Sequence, residues 1–162
     1  MARIEQRLEA LGLVLPEPLR LPEGMRLPFA WVNVRCEVAY ISGHGPQEAD
    51  GSTAGPFGAV GREVTIEQAY ESARKTALSM LASLKRELGD LDRITGWRRV
   101  HGMVNCAPGF ASTPAVINGF SDLILEVFGP EIGRHARTAV GVAGLPTNIP
   151  VEIEAEVGIR ER

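Results

Sequence analysis

Apolar and polar residues recur along this chain with two periods, and the stretches where each holds predict its elements. Between Thr65 and Gly89 the apolar set is Ile66, Ala69, Ala73, Ala77, Met80, Leu81, Leu84 and Leu88, the three-and-four spacing of one helix face. Thr65-Ile66-Glu67-Gln68 forms a capping box before it, and Gly89 ends it. Thr113-Pro114 opens a second helix that carries Val116, Ile117, Phe120, Leu123, Ile124, Val127 and Phe128 as far as Gly129-Pro130. Ile4 to Leu11 reads as a short amphipathic helix. Phe29 to Val34, Val38 to Ser42, Trp97 to Cys106, and two further segments within Arg134 to Glu156 alternate with period two, as strands do. The predicted order is strand, strand, helix, strand, helix, strand, strand. Two helices can cover only one face of a single sheet, so the fold class is α+β with a bare face, and a bare sheet face is expected to be covered by another copy of the chain.

Two stretches escape both periods. The Leu- and Pro-rich segment from Val14 to Pro28 reads as extended surface chain, because proline blocks regular pairing, and Gly43 to Gly61 is too rich in Gly and Pro to be other than a loop. The domain reading is an N-terminal extension, 1–28, packed on a single core domain, 29–162. At 162 residues, 44% hydrophobic and 23% charged, one core suffices. The start, MARIEQRLEALGL, is charged, and no run approaches the roughly 20 apolar residues of a membrane span, so a cytoplasmic protein without membrane contact is expected. Cys36 and Cys106 lack CxxC spacing and sit in apolar strand-like surroundings, which predicts buried, reduced thiols and no zinc site. A net charge of −3 with scattered Lys and Arg gives no footprint for a nucleic-acid backbone.

Candidate chemistry lies in the last two strands. If Thr138, Val140 and Val142 form one face of the first, then Arg137, Ala139 and Gly141 form the other. Val151, Ile153, Ala155 and Val157 likewise leave Glu152, Glu154 and Glu156 together. Pairing of these strands would set a guanidinium and a carboxylate side by side among small residues, the makings of a small carboxylate site.

Several motifs in order, Ile41-Ser42-Gly43-His44-Gly45-Pro46, Val116-Ile117-Asn118, Arg137-Thr138-Ala139-Val140 and Leu145-Pro146 followed by Val151-Glu152-Ile153-Glu154, resemble those of the RidA/YjgF family, also labelled endoribonuclease L-PSP or translation inhibitor. The resemblance runs from about Phe29 to the C-terminus. It implies a chorismate mutase-like (ferredoxin-like) sheet with two helices on one face, assembled as a homotrimer with three inter-subunit clefts. It also implies hydrolysis of reactive enamines and imines to 2-oxo acids and ammonia, without metal or organic cofactor. By position, Arg137 takes the family's carboxylate-binding role and Glu152 that of the glutamate associated with the attacking water. Gly43 supplies a backbone contact, and Asn118 a polar group near the cleft.

Two positions depart from the family pattern. Phe29 stands where well-known members carry tyrosine, and Ala139 where they carry cysteine, so a phenolic donor and a thiol are missing; His44, where glutamine is common, can compensate. Plainer readings stay open. Arg137 can pair with Glu152 or Glu154 as a structural cross-strand ion pair, His44 can be a loop or capping residue, and Asn118 can cap backbone near a helix end. Three functions follow: an imine/enamine deaminase, a non-catalytic binder or sensor of 2-oxo acids or other small carboxylates, and, least supported by the acidic composition, an endoribonuclease.

Overall fold

In the computed structural model, which describes residues 3–161, helix α1 (Arg3–Ala10) precedes an antiparallel hairpin of β1 (Val32–Arg35) and β2 (Val38–His44). Then come α2 (Ile66–Leu88), β3 (Ile94–Asn105), α3 (Thr113–Gly133), β4 (Ala136–Val142) and β5 (Val151–Ile159). The sheet order is β1-β2-β5-β3-β4, with every neighbour antiparallel except β3 and β4, which α3 links as a parallel crossover. Helices α2 and α3 pack against each other and on one face of this sheet, the α+β architecture expected.

Local chemistry accounts for the element ends. The Thr65 hydroxyl accepts the Gln68 N–H at 3.1 Å while the Gln68 side chain accepts the Thr65 N–H at 2.9 Å, so the capping box is complete. Pro114 starts α3, whose regular part stops at Gly129 (φ 74, ψ 171), with a short turn running on to Gly133. The core lies between the helices and the inward residues of β2, β3 and β5: Ala39 and Ile41, Val100 and Val104, Val151, Ile153 and Val157, against Leu81, Leu84, Phe120 and Ile124. Each large side chain among these contributes about 1.5–3 kcal/mol by leaving water.

The N-terminal lead is tied down at both ends. Ile4 and Leu8 enter the core, and the Asp92 carboxylate accepts the Arg3 and Ile4 N–H groups at 2.6 and 3.0 Å, capping α1 from a distant turn. Further along, Glu17 N–H donates to Ala49 O at 3.0 Å and Arg20 N–H to Gly51 O at 2.9 Å, stitching the lead to the loop after β2.

Two expectations are corrected. Cys36 is exposed, not buried, because it occupies the hairpin turn between β1 and β2 with φ 51; Cys106 is half-buried. More consequentially, β4 and β5 do not pair, since β3 lies between them, and the two faces of β4 are the reverse of the reading. Arg137, Ala139 and Gly141 stand opposite Val100, Gly102 and Val104 on the helix side. Thr138 and Val140 share the bare side with His101 and Met103, and β5 adds Glu152, Glu154 and Glu156 to that side through their pairs Met103, His101 and Arg99. No helix among the described residues is long and apolar enough to cross a membrane.

Candidate functional site

A single irregularity in β2 organises the site. Ile41 pairs with Ala155 and His44 with Ile153, so two residues, Ser42 and Gly43, oppose one on β5. This bulge turns His44 toward α2 and leaves Gly43 against the Glu152 side chain. A Cβ at position 43 would lie 2.9 Å from Glu152 Cδ, so a side chain there would have to push the carboxylate aside. Glu152 is half-buried, and burial, with Glu154 as a lesser contributor, raises its pKa above the ordinary carboxylate value. Beside it opens a cavity of about 420 Å³, lined by Gly43, Glu152, Phe29, Trp31 and part of the N-terminal lead. A carboxyl with a raised pKa in a concave, mostly apolar pocket is suited to taking up and returning a proton.

His44 also lines the cavity but is fully engaged. Its Nδ1–H donates to Ser42 O at 2.6 Å, which leaves Nε2 to accept the Ser83 hydroxyl at 2.8 Å, and Arg86 Nη2 donates to the same hydroxyl at 3.1 Å. The ring is 4% exposed, and burial, with the Arg86 charge adding to it, lowers its pKa to about 4. It stays neutral across physiological pH and braces the cavity through Ser83 and through Trp31, whose ring lies 5.2 Å from the imidazole.

The other predicted residues gather on the opposite side of the sheet. Arg137 Nη1 donates to Asn118 Oδ1 at 2.8 Å and to Ser121 Oγ at 3.1 Å, and Nη2 reaches Pro114 O at 3.5 Å, so the guanidinium lies along α3. Asn118 and Arg137 are therefore brought together, with Ala139 two residues along the strand, its carbonyl accepting from Thr113 Oγ1 at 3.1 Å. Within one chain Arg137 and Glu152 lie on opposite faces of the sheet, and His44, although turned to the helix side, sits on β2, three strands away from β4 in the sheet order. The cross-strand pairing of Arg137 with Glu152 or Glu154 fails for the same reason, and no ion pair joins them among the described residues. Phe29, half exposed, meets Trp31 edge-on at 5.3 Å.

Sequence reasoning passed over Ser83, Arg86, Ser121 and Trp31. One signal was present: Ser72, Thr76, Ser79 and Ser83 recur at core spacing along α2, and all four are buried. Ser79 donates to the Gln47 side chain and Ser83 to His44, so the stripe marks where the loop after β2 docks. The cavity wall supplied by the lead, including Leu19, Leu21 and Met25, was likewise read only as surface chain.

Comparison with known proteins places this geometry. A family model described as "YjgF/chorismate mutase-like, putative endoribonuclease" matches residues 5–151. Protein TCP17 of Trypanosoma cruzi is 36% identical over 157 residues, covering 96% of this chain and 93% of its own. The crystal structure of Atu1372 from Agrobacterium tumefaciens, a protein of unknown function, is similar with TM-score 0.86 and 39% identity, over 98% of this chain and 93% of that one. A structure from Shewanella oneidensis named as an endoribonuclease of that unproven kind has TM-score 0.84 and 29% identity, covering 96% and 99% of the two chains. A mixed sheet backed by two helices, a glycine bulge set against a half-buried glutamate, and matches over nearly the whole length agree: the chain belongs to the YjgF/chorismate mutase-like family.

Proposed function

We propose that this protein is a RidA-type deaminase that hydrolyses reactive imines, and the enamines that tautomerise to them, to 2-oxo acids and ammonia. The observation that carries the reading is Glu152, half-buried with a raised pKa, against the Gly43 backbone at the edge of a cavity of about 420 Å³. A protonated imine carbon is already electrophilic. Water adds to it, forming the C–O bond as the C=N π pair passes to nitrogen, and Glu152 takes the water's proton. Returning that proton to nitrogen lets the C–N bond break as an oxygen lone pair closes to C=O; the hydroxyl proton passes to Glu152 and from there to the departing ammonia, releasing ammonium and the oxo acid. The chemistry needs no metal or organic cofactor.

Arg137 supplies the carboxylate clamp in this scheme, and its position on the other face dictates how. In this reading Arg137 of one copy meets Glu152 of another, in the homotrimer with clefts between subunits that the family resemblance implies. The bare face, where Val140 and Met103 lie half-buried beside His101 and Glu154, is the surface for such packing. Phe29 and Ala139, which bring neither hydroxyl nor thiol, favour a second reading, a protein that binds 2-oxo acids without turnover. A net charge of −3 without a basic run argues against a ribonuclease.

The test is ammonia release from imines generated in the assay by an amino-acid oxidase. Wild-type protein should accelerate release. Glu152→Gln should lower turnover about 10²- to 10⁴-fold while still binding a non-reactive 2-oxo acid. Arg137→Lys should lose that binding, because a point-like ammonium cannot copy the guanidinium fork. Wild-type protein that binds oxo acids yet accelerates no imine would establish the binder reading.

A further inference from the structure

We propose that residues 18–25 of the N-terminal lead form a specificity wall over the Glu152 cavity, which therefore takes a 2-imino or 2-oxo acid with a large apolar side chain, branched or aromatic. The reacting end rests on the deaminase reading. The side-chain end stands on separate observations. Leu19, Leu21 and Met25 line the cavity together with Phe29 and Trp31, and about 420 Å³ is far more room than a three-carbon acid fills.

Apart from Thr53, Thr147 and Glu152, the polar side chains around this space are already committed inside the protein. His44 and Ser83 bond each other, Gln47 bonds Ser79, and Arg20 pairs with Asp50 at 3.5 Å. Arg86 donates to Ser83 Oγ and, at 3.3 Å, to Pro16 O. A polar substrate side chain would surrender water for little in return, whereas an apolar one loses nothing.

The wall is also held in place. The backbone bonds from Glu17 and Arg20 to Ala49 and Gly51, with the Arg86 bond to Pro16, fix it to the loop on one side and to α2 on the other. Gly51 is the tightest point. It has φ 84, and a Cβ there would sit 2.3 Å from Pro18 O. Any side chain at position 51 must push the lead outward without touching the cavity itself.

The experiment is calorimetric titration of the full chain with pyruvate, 4-methyl-2-oxopentanoate and phenylpyruvate, none of which needs turnover. The two larger acids should bind at least about tenfold more tightly than pyruvate. Leu21→Asp, which puts a carboxylate into the wall, and Gly51→Ala, which displaces it, should each erase most of that preference while pyruvate affinity holds. Equal affinity for all three acids in wild type, no binding of any, or a preference unchanged in both variants would overturn the proposal. A size preference without imine turnover upholds the wall and sinks the deaminase reading; turnover of every imine at one rate does the reverse.

Discussion

The same wiring occurs twice in this molecule. At the cavity, Arg86 donates to Ser83, Ser83 to His44 Nε2, and His44 Nδ1 to the carbonyl two residues back, Ser42 O. At the far edge of the sheet Arg137 donates to Ser121, Ser121 to His135 Nε2 at 2.9 Å, and His135 Nδ1 to Gly133 O at 2.7 Å. In each, the carbonyl selects the tautomer, and burial, with a neighbouring arginine's charge adding to it, lowers the pKa of the imidazole. They differ in surroundings. His44 is sealed under the loop after β2 and falls to about 4, whereas His135 is only half-buried and its pKa is lowered by a weaker version of the same cause. A hydrogen-bond pattern alone does not set a group's chemistry; the water around it does.

Acid should separate the two relays most. Between pH 6.5 and about 4 the folded chain holds His44 neutral while the unfolded chain protonates it, so stability rises with pH across that window and is lost on acidification. The expected loss from His44 is about 3 kcal/mol, at about 1.4 kcal/mol for each pK unit. Subtracting the urea-unfolding pH profile of His44→Gln from that of wild type should reveal it, and two profiles of equal slope would refute the burial argument. The corresponding difference for His135→Gln should have the same sign and be smaller.

Removing the relay serines is the next test. Ser83→Ala orphans His44 Nε2 in a buried site and should cost about 2 kcal/mol, while Ser121→Ala, reachable by solvent, should cost about 1 kcal/mol or less. Equal losses in urea denaturation would mean that the two sites are equally dry. Asn118→Ala should produce the smallest change in stability, within about 0.5 kcal/mol, because its bond to Arg137 lies at an exposed surface. Its effect should show in 2-oxo acid titration instead, as a several-fold weakening through a less firmly aimed guanidinium.

Much of this architecture was legible from residues alone, and the illegible parts share a cause. The capping box at Thr65 and the proline at the start of α3 are local chemistry and need no tertiary context. Alternation along β4 gave the right period, but not which parity faces the helices. Its more apolar set, Val140 and Val142, faces away from them, and Arg137 is tolerated beneath α3 because Asn118, Ser121 and Pro114 O supply acceptors. Glu152 and Gly43 were named as site residues from their motifs, and the structure sets them in contact. Their separation from Arg137 follows from strand order, which periodicity does not encode. The relay serines read as ordinary polar helix positions, since nothing adjacent in sequence ties Ser83 to a histidine 39 residues before it or Ser121 to one 14 residues after it.

The one-residue bulge in β2 constrains how the length of such a chain can change through descent. Before the bulge, Ala39 and Ile41 belong to the interior and Tyr40 to the outside; after it the parity inverts, and His44 belongs to the interior. A codon gained or lost inside the strand would exchange these sets wholesale, placing Tyr40 among the core aliphatics or an imidazole over Glu152. Changes in length are therefore admissible only where no parity is kept, in the turn at Cys36-Glu37 and in the loop beyond His44. That loop is where the lead is tethered, so the region freest to lengthen or shorten is also the one that shapes what the cavity admits.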